Sequence, residues 1–165
     1  MANLPQRRYH RYRNYDYSTP GAYFLTICIQ KRLPLLGKID NAGMVTNDAG
    51  HMVETYWTGI PARYPGVETD AMIVMPDHLH GILFLGTDPG IVADVTLGEI
   101  VRWLKSWTTR KYAEQVHVGT WPPFAGRLWQ ANYYDQILRS DAAVDSRRAY
   151  IVANPWRWME KRGLE

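Results

Sequence analysis

The stretch AMIVMPDHLHGILFLG, residues 71–86, restricts the fold more than any other part of the chain. Two apolar, β-prone runs, ETDAMIVMP and HLHGILFLG, are separated by a Pro-Asp breaker and read as buried strands joined by a turn. His78 and His80 stand two residues apart at the head of the second run. In a strand, residues i and i+2 share a face, so the two rings project side by side and Leu79 and Gly81 point the other way. Strand rise puts their Cα atoms about 6.5–7 Å apart. From there, two ring nitrogens can converge on one divalent ion at about 2.0–2.2 Å each. Gly81 leaves room for another backbone to approach. The pair alone is a weak motif and reads first as two hydrogen-bonded histidines of a sheet; a metal site needs a third ligand and a reacting group.

The remaining segments supply the partners for this hairpin. AYFLTICIQ (22–30) reads as a first strand, bounded by TPG and KRLP. NDAGHMVETYWTGIPARYP begins with a capping residue, stops at prolines and carries Met52, Val53, Tyr56 and Trp57 at helical spacing. TDPGIVADV reads as a loop. A second helix is expected over 96–115, with Leu97, Ile100, Val101, Leu104 and Thr108 as its apolar stripe and Arg102 and Lys105 off it. After a loop-rich stretch, YYDQILRS (133–140) reads as a fourth strand. SDAAVDSRRAYIVANP gives a third helix from roughly 141 to 154, ending at Pro155. The order β-α-β-β-α-β-α is solved by a split βαβ, ferredoxin-like α+β sandwich: a four-stranded antiparallel sheet with helices on one face and a C-terminal helix. Residues 1–18 read as a basic, aromatic arm and 19–165 as a single domain.

Composition narrows the function. The 165-residue chain has one cysteine, Cys28, which excludes an internal disulfide framework and a Cys-rich zinc site and fits a reducing cytoplasm. There is no signal-peptide pattern at the N-terminus and no apolar run long enough to span a membrane. The net charge of +3 is mild, but its distribution is uneven. Arg7, Arg8, Arg11 and Arg13 alternate with Tyr9, Tyr12, Tyr15 and Tyr17, and Arg102, Lys105, Arg110 and Lys111 form a second group. Cations among flat rings suit single-stranded nucleic acid, phosphates on the cations and bases on the rings. A solvated basic tail beside core aromatics is the competing reading.

Tyr150 and Asn154 are four apart on the last helix and share a face. An amide oxygen is a hard ligand that suits Mg²⁺ or Mn²⁺ better than zinc. A phenol beside a Lewis acid and a polarised phosphate can serve as a nucleophile, and Arg147 and Arg148 just before it can bind phosphate. A core tyrosine followed by a helix cap is the plain alternative. His10, His51 and His117 are conceivable bases, though each also reads as an exposed or capping histidine.

Three ordered segments together resemble one family. VMPDHLHGILFL is similar to the histidine–hydrophobe–histidine signature of HUH single-tyrosine transposases, with Asp77 and Leu79 departing from the commoner PNHVH form. LWQANYYDQILRS resembles the W-Q-x-x-Y-Y-[DE]-x-x-x-R segment of REP-associated tyrosine transposases, and AYIVANPWRW their Y-I-x-x-N-P segment. YDYSTPGAYFLTICIQKR resembles their opening strand. The resemblance covers most of the chain. It implies a ferredoxin-like enzyme that cleaves and rejoins single-stranded DNA at palindromic hairpin repeats through a covalent 5′-phosphotyrosine. It implies His78 and His80 as ligands of a divalent metal, Mg²⁺ or Mn²⁺, and Tyr150 as nucleophile; Asn154, the third ligand expected from the helix spacing, stands where relatives place a Gln or similar group. Tyr133 and Tyr134 are then structural or DNA-contacting. Arg7, Arg8, Arg11, Arg13, Arg102, Lys105, Arg147 and Arg148 are the expected DNA contacts, and a monomer is favoured over a homodimer. A hairpin-binding module with a dispensable active site and a metal-dependent phosphohydrolase are the alternatives.

Overall fold

The computed structural model of the chain describes residues 21–86 and 93–163. The arm, with Arg7, Arg8, Arg11 and Arg13, lies outside them, as does His10. In chain order come β1 (Gly21–Cys28), a 3₁₀ turn (Gln30–Arg32), β2 (Gly37–Asp40), β3 (Gly43–Thr46), α1 (Asp48–Thr58), the short α2 (Ile60–Arg63), β4 (Val67–Met75), β5 (His78–Leu85), α3 (Leu97–His117), β6 (Tyr134–Leu138) and α4 (Asp141–Lys161). One antiparallel sheet runs β4-β5-β1-β6. This is the split βαβ topology, with the two strands of the outer pairs carried in by the helices. Among the described residues no helix is long and apolar enough to cross a membrane.

The pleat sorts the side chains into two layers. Tyr23, Leu25 and Ile27 of β1 and Leu79, Leu83 and Leu85 of β5 pack with Val53 and Trp57 of α1 and Ile100, Val101 and Leu104 of α3. On the reverse face Ala22, Phe24, Ile82 and Leu138 pack with Val144 and Ile151 of α4. The helices therefore divide, α1 and α3 on one side of the sheet and α4 on the other. Each long helix has the start its sequence announces. Asn47 and Ser140 accept from Gly50 and Ala143 backbone N–H groups, and Thr96 and Glu99 close a reciprocal capping box.

Register places the histidines at the centre of this design. His80 lies opposite Thr26 of β1 and Ile73 of β4, and Thr26 lies opposite Tyr134 of β6. Ile73, His80, Thr26 and Tyr134 thus form one row across the α4-facing surface. His78 is the next row, opposite Cys28 and Met75.

Three departures from the sequence reading have physical causes. The β2–β3 hairpin falls in a stretch with no assigned element. Its strands have four residues each, too short for alternation to register, and its turn is held by Ala42 N–H on Asp40 Oδ1 at 2.8 Å. The last helix does not stop at Pro155 but continues to Lys161. Proline removes one helical hydrogen bond, but Pro155 is buried and the next two turns pack on the sheet through Trp158, stacked on His78. Finally, Gly81 admits a side chain rather than a backbone: a Cβ there would collide with the indole of Trp57, which is 1% exposed and fixed in α1. Gly81→Ala is expected to destabilise the fold by about 1–3 kcal/mol through overpacking, read as a lower urea midpoint with an unchanged slope.

Candidate active site

His78 and His80 are 5% and 6% exposed, beneath α4. Their Nε2 atoms converge to 3.1 Å and their rings meet edge to face at 4.6 Å. Two metal bonds of about 2.1 Å at 90–110° hold their donor atoms about 3.0–3.4 Å apart, so the spacing fits neighbouring ligands of one ion. The outer nitrogens are anchored: His78 Nδ1 meets Asp77 Oδ1 at 2.6 Å and His80 Nδ1 meets Thr26 Oγ1 at 2.8 Å. Partners of this kind orient a ligating imidazole and set its tautomer. Burial lowers the pKa of His78 against the opposing pull of Asp77, and burial takes His80 down to about 2, with His78 adding to the effect. Both rings are neutral at pH 7, the form that binds a cation.

Helix α4 brings the rest. Residues 150, 154 and 158 recur one turn apart and face the sheet together. The Tyr150 ring stands edge-on to His80 at 5.4 Å and to Phe24 at 5.8 Å. Trp158 stacks on His78 at 6.0 Å. Asn154 is 6% exposed and lines a cavity of about 350 Å³ together with His78, His80 and Tyr150. A second cavity of about 190 Å³ opens on the β1 side of Tyr150, bounded by Cys28, Tyr134 and Arg147. Around the two cavities stand Arg32, Arg147, Arg157, Lys161 and Arg162, with no carboxylate lining either among the described residues. Arg147 and Arg157 lie against the Tyr150 ring at 5.2 and 5.0 Å. The whole surround is cationic and suits a polyanion.

Among the described residues no group of three His, Cys, Asp or Glu side chains could hold a metal ion. Asn154 lines the same cavity as the histidine pair and offers an amide oxygen as a further candidate ligand. Two neutral imidazoles and an amide oxygen in one cavity, with their outer nitrogens already anchored, fit a hard divalent cation.

The other expected contacts divide. Arg147 reaches the site, bonded to Gln136 at 2.7 Å. Arg148, its neighbour, turns away and forks onto Asp70 at 2.7 and 2.8 Å and onto Asp145, which holds the Asp70 carboxyl below its usual range. Arg102 and Lys105 lie on α3, across the sheet from Tyr150. Lys105 lines an open trough of about 560 Å³ with Arg110 and Arg127 and donates to the Gln130 carbonyl at 2.8 Å. Tyr133 is buried in the α3-side core, whereas Tyr134 lines the cavity beside Tyr150. His51 pairs with Glu54 on α1, off the site, and His117 is exposed at the end of α3. Sequence reading missed Thr26, Arg32, Arg157, Trp158, Lys161 and Arg162. The last four follow from continuing the 150–154 spacing past the proline; Thr26 and Arg32 carry no such signal.

No family model matches the chain. An uncharacterized protein of Haemophilus influenzae is 33% identical over 176 aligned positions, covering 95% of this chain and 92% of that protein. A second Haemophilus influenzae protein, assigned as a REP-associated tyrosine transposase, is 24% identical over 143 positions, covering 85% of this chain and 73% of its own. Among solved structures, a REP-associated tyrosine transposase bound to a REP hairpin superimposes with a TM-score of 0.61 at 20% identity, covering 94% of this chain and 76% of that one. A Deinococcus radiodurans protein assigned as a transposase gives 0.52 at 21% identity, covering 86% and 95%.

Proposed function

We propose that this chain is a REP-associated tyrosine transposase that cuts and rejoins single-stranded DNA at hairpin repeats, with Tyr150 as the nucleophile, a reading its likeness to that family's relatives supports. The observation that carries this is the convergence of two anchored imidazole nitrogens, 3.1 Å apart, in the same cavity as Tyr150 and Asn154. His78, His80 and Asn154 would hold Mg²⁺ or Mn²⁺. Such an ion, when bound, supplies charge to a non-bridging phosphate oxygen and offsets the charge that builds there.

The chain's own groups do the remainder. Arg32, Arg157, Lys161 and Arg162 hold the phosphodiester backbone against the open side of the cavity. The Tyr150 oxygen attacks phosphorus as its proton leaves, and the new O–P bond replaces the bond to the 3′-oxygen. That oxygen departs and takes up a proton as a 3′-hydroxyl. The bond energy stays in the 5′-phosphotyrosine, so a second 3′-hydroxyl can reverse the step and join new ends. Arg147 and Arg157 offset the charge on the phenol oxygen in both directions.

A phosphohydrolase would need a base to activate water. Asp77 is the carboxylate nearest the pair, and Arg32 and His78 already occupy both its oxygens. Outside the site, the cationic trough of α3, with Arg102 beside it, offers a surface for the hairpin stem. The arm residues Arg7, Arg8, Arg11 and Arg13 are proposed to add phosphate contacts.

The test is a labelled hairpin with an unpaired flank, incubated with the protein and Mn²⁺. A denaturation-resistant adduct, mapped by peptide mass analysis to Tyr150, is the expected product, and a perfect duplex should be left intact. Free ends without adduct would select the hydrolase, and binding without any cleavage would select the binding module.

A further inference from the structure

The turn between β4 and β5 contains a carboxylate whose two oxygens have different partners. Asp77 is 1% exposed. Its Oδ2 accepts from Arg32 Nε at 3.0 Å, and its Oδ1 faces His78 Nδ1 at 2.6 Å. Arg162 comes no nearer than 4.0 Å, adding charge without a hydrogen bond. Two bare acceptors repel at 2.6 Å, so a proton lies between Oδ1 and Nδ1, and on a neutral ring it belongs to nitrogen. Arg32 Nη2, 3.4 Å from the same nitrogen, is a charge neighbour only.

Arg32 is held in place with unusual effort. Lys31 and Arg32 have φ of 57° and 56°, a region that residues with side chains enter only when their surroundings fix them there. Ile29 N–H donates to the Asp77 carbonyl at 2.8 Å and Leu36 N–H to the Pro76 carbonyl at 2.9 Å, so the segment is clasped to the very turn that carries Asp77. Arg32 Nη1 donates to Cys28 Sγ at 2.7 Å, which closes the far side of the guanidinium. The Ile29 bond extends the β1–β5 ladder by one residue beyond the Cys28–His78 pair, so the sheet itself brings the Arg32 turn up to Asp77.

We propose that Arg32 and Asp77 are a positioning pair that fixes the ring proton of His78 on Nδ1 and so leaves Nε2 open to a divalent cation. This rests on the reading of His78 as a cation ligand. The logic is one of donors and acceptors. While Arg32 donates to one oxygen, the other atom must accept from His78, and a carboxylate can do both. An asparagine cannot. Its single oxygen would be taken by Arg32, its NH₂ would donate to Nδ1, and the ring proton would move to Nε2 and cap it. Thr26 imposes no such choice on His80, because a hydroxyl donates or accepts.

Three variants test this: Asp77→Asn, Arg32→Met and the two combined. Metal-free protein at pH 7 is read by nitrogen-15 NMR of the histidine rings, and Mn²⁺ binding by calorimetry on the protein alone. Wild type and Arg32→Met should both show His78 protonated on Nδ1. Asp77→Asn should move the proton to Nε2 and weaken Mn²⁺ binding by about 10–100-fold, the usual range for losing an outer partner. In the double variant the amide is free to turn its oxygen to Nδ1, so the tautomer returns and most of the affinity with it. An unmoved proton in Asp77→Asn, or a double variant no better than Asp77→Asn, overturns the pair. So does an Nε2-protonated His78 in wild type, which needs no variant to fold. If wild type takes up no Mn²⁺, the cation reading fails, while the NMR pattern still decides the role of Arg32.

Discussion

Tyr150→Phe is expected to reduce strand cleavage by about three orders of magnitude or more, the scale of deleting a nucleophile, and to abolish the covalent adduct. The substitution removes one oxygen. The ring that stands against Phe24 and His80, and under Arg147 and Arg157, remains, so melting should shift by the equivalent of about 1 kcal/mol at most. Hairpin binding should persist, because the cations that face the backbone are untouched. A gel-resolved adduct assay beside a binding titration separates these effects. Among the described residues, one other phenol lines the cavity on the β1 side of Tyr150, that of Tyr134. An adduct that survives in Tyr150→Phe and maps to Tyr134 would transfer the role to β6.

His78→Ala and His80→Ala should each weaken Mn²⁺ binding by more than about 100-fold, beyond the loss that outer partners cause, and abolish cleavage. Calorimetry on the protein alone reads the first and nicking reads the second. Equal nicking by either variant would remove the pair from the mechanism. His80→Ala should also differ from wild type in acid. His80 stays neutral in the fold down to about pH 2, whereas in the unfolded chain it takes a proton below about 6.5. The unfolded state therefore binds more protons as the pH falls through that window, and the native state loses up to about 1.4 kcal/mol per pH unit from this group. In His80→Ala that contribution disappears, so urea midpoints between pH 6 and 4 should fall less steeply than in wild type.

The sheet was legible because its strands are long and apolar, and the hairpin turn carries a breaker. The capping residues Asn47 and Ser140 announced their helices and both are in use, and the structure adds the Thr96 capping box that starts α3. The pairing of His78 with His80 follows from the period of a strand, and Tyr150 with Asn154 from the period of a helix. Where the chain relies on neither period, the sequence was silent. Pro155 gave a stop signal that tertiary packing overrides, and with it Arg157, Trp158, Lys161 and Arg162 were lost from view. Thr26 faces His80 through cross-strand register, which one strand alone does not encode. Arg32 depends on two positive φ values at residues that do not advertise them. Arg147 and Arg148 are chemically alike and adjacent, yet the 100° step of a helix sends one to the site and the other to Asp70.

The split of the site between sheet and helix has a thermodynamic corollary. The imidazoles ride on β5, one of the two central strands of the sheet, while the phenol and the amide ride on α4, which covers one face alone. Opening of α4 requires no strand to unpair, so it should cost less than global unfolding. Every such excursion separates Tyr150 from the histidine pair, and on the proposed mechanism leaves the protein unable to cut. A DNA strand that bridges the two halves would bind only the closed form, and so would shift that local equilibrium by its own affinity. Substrate and fold are in this sense linked variables: amide exchange along α4 should slow with hairpin concentration, while exchange in β1 and β5 reports the global stability.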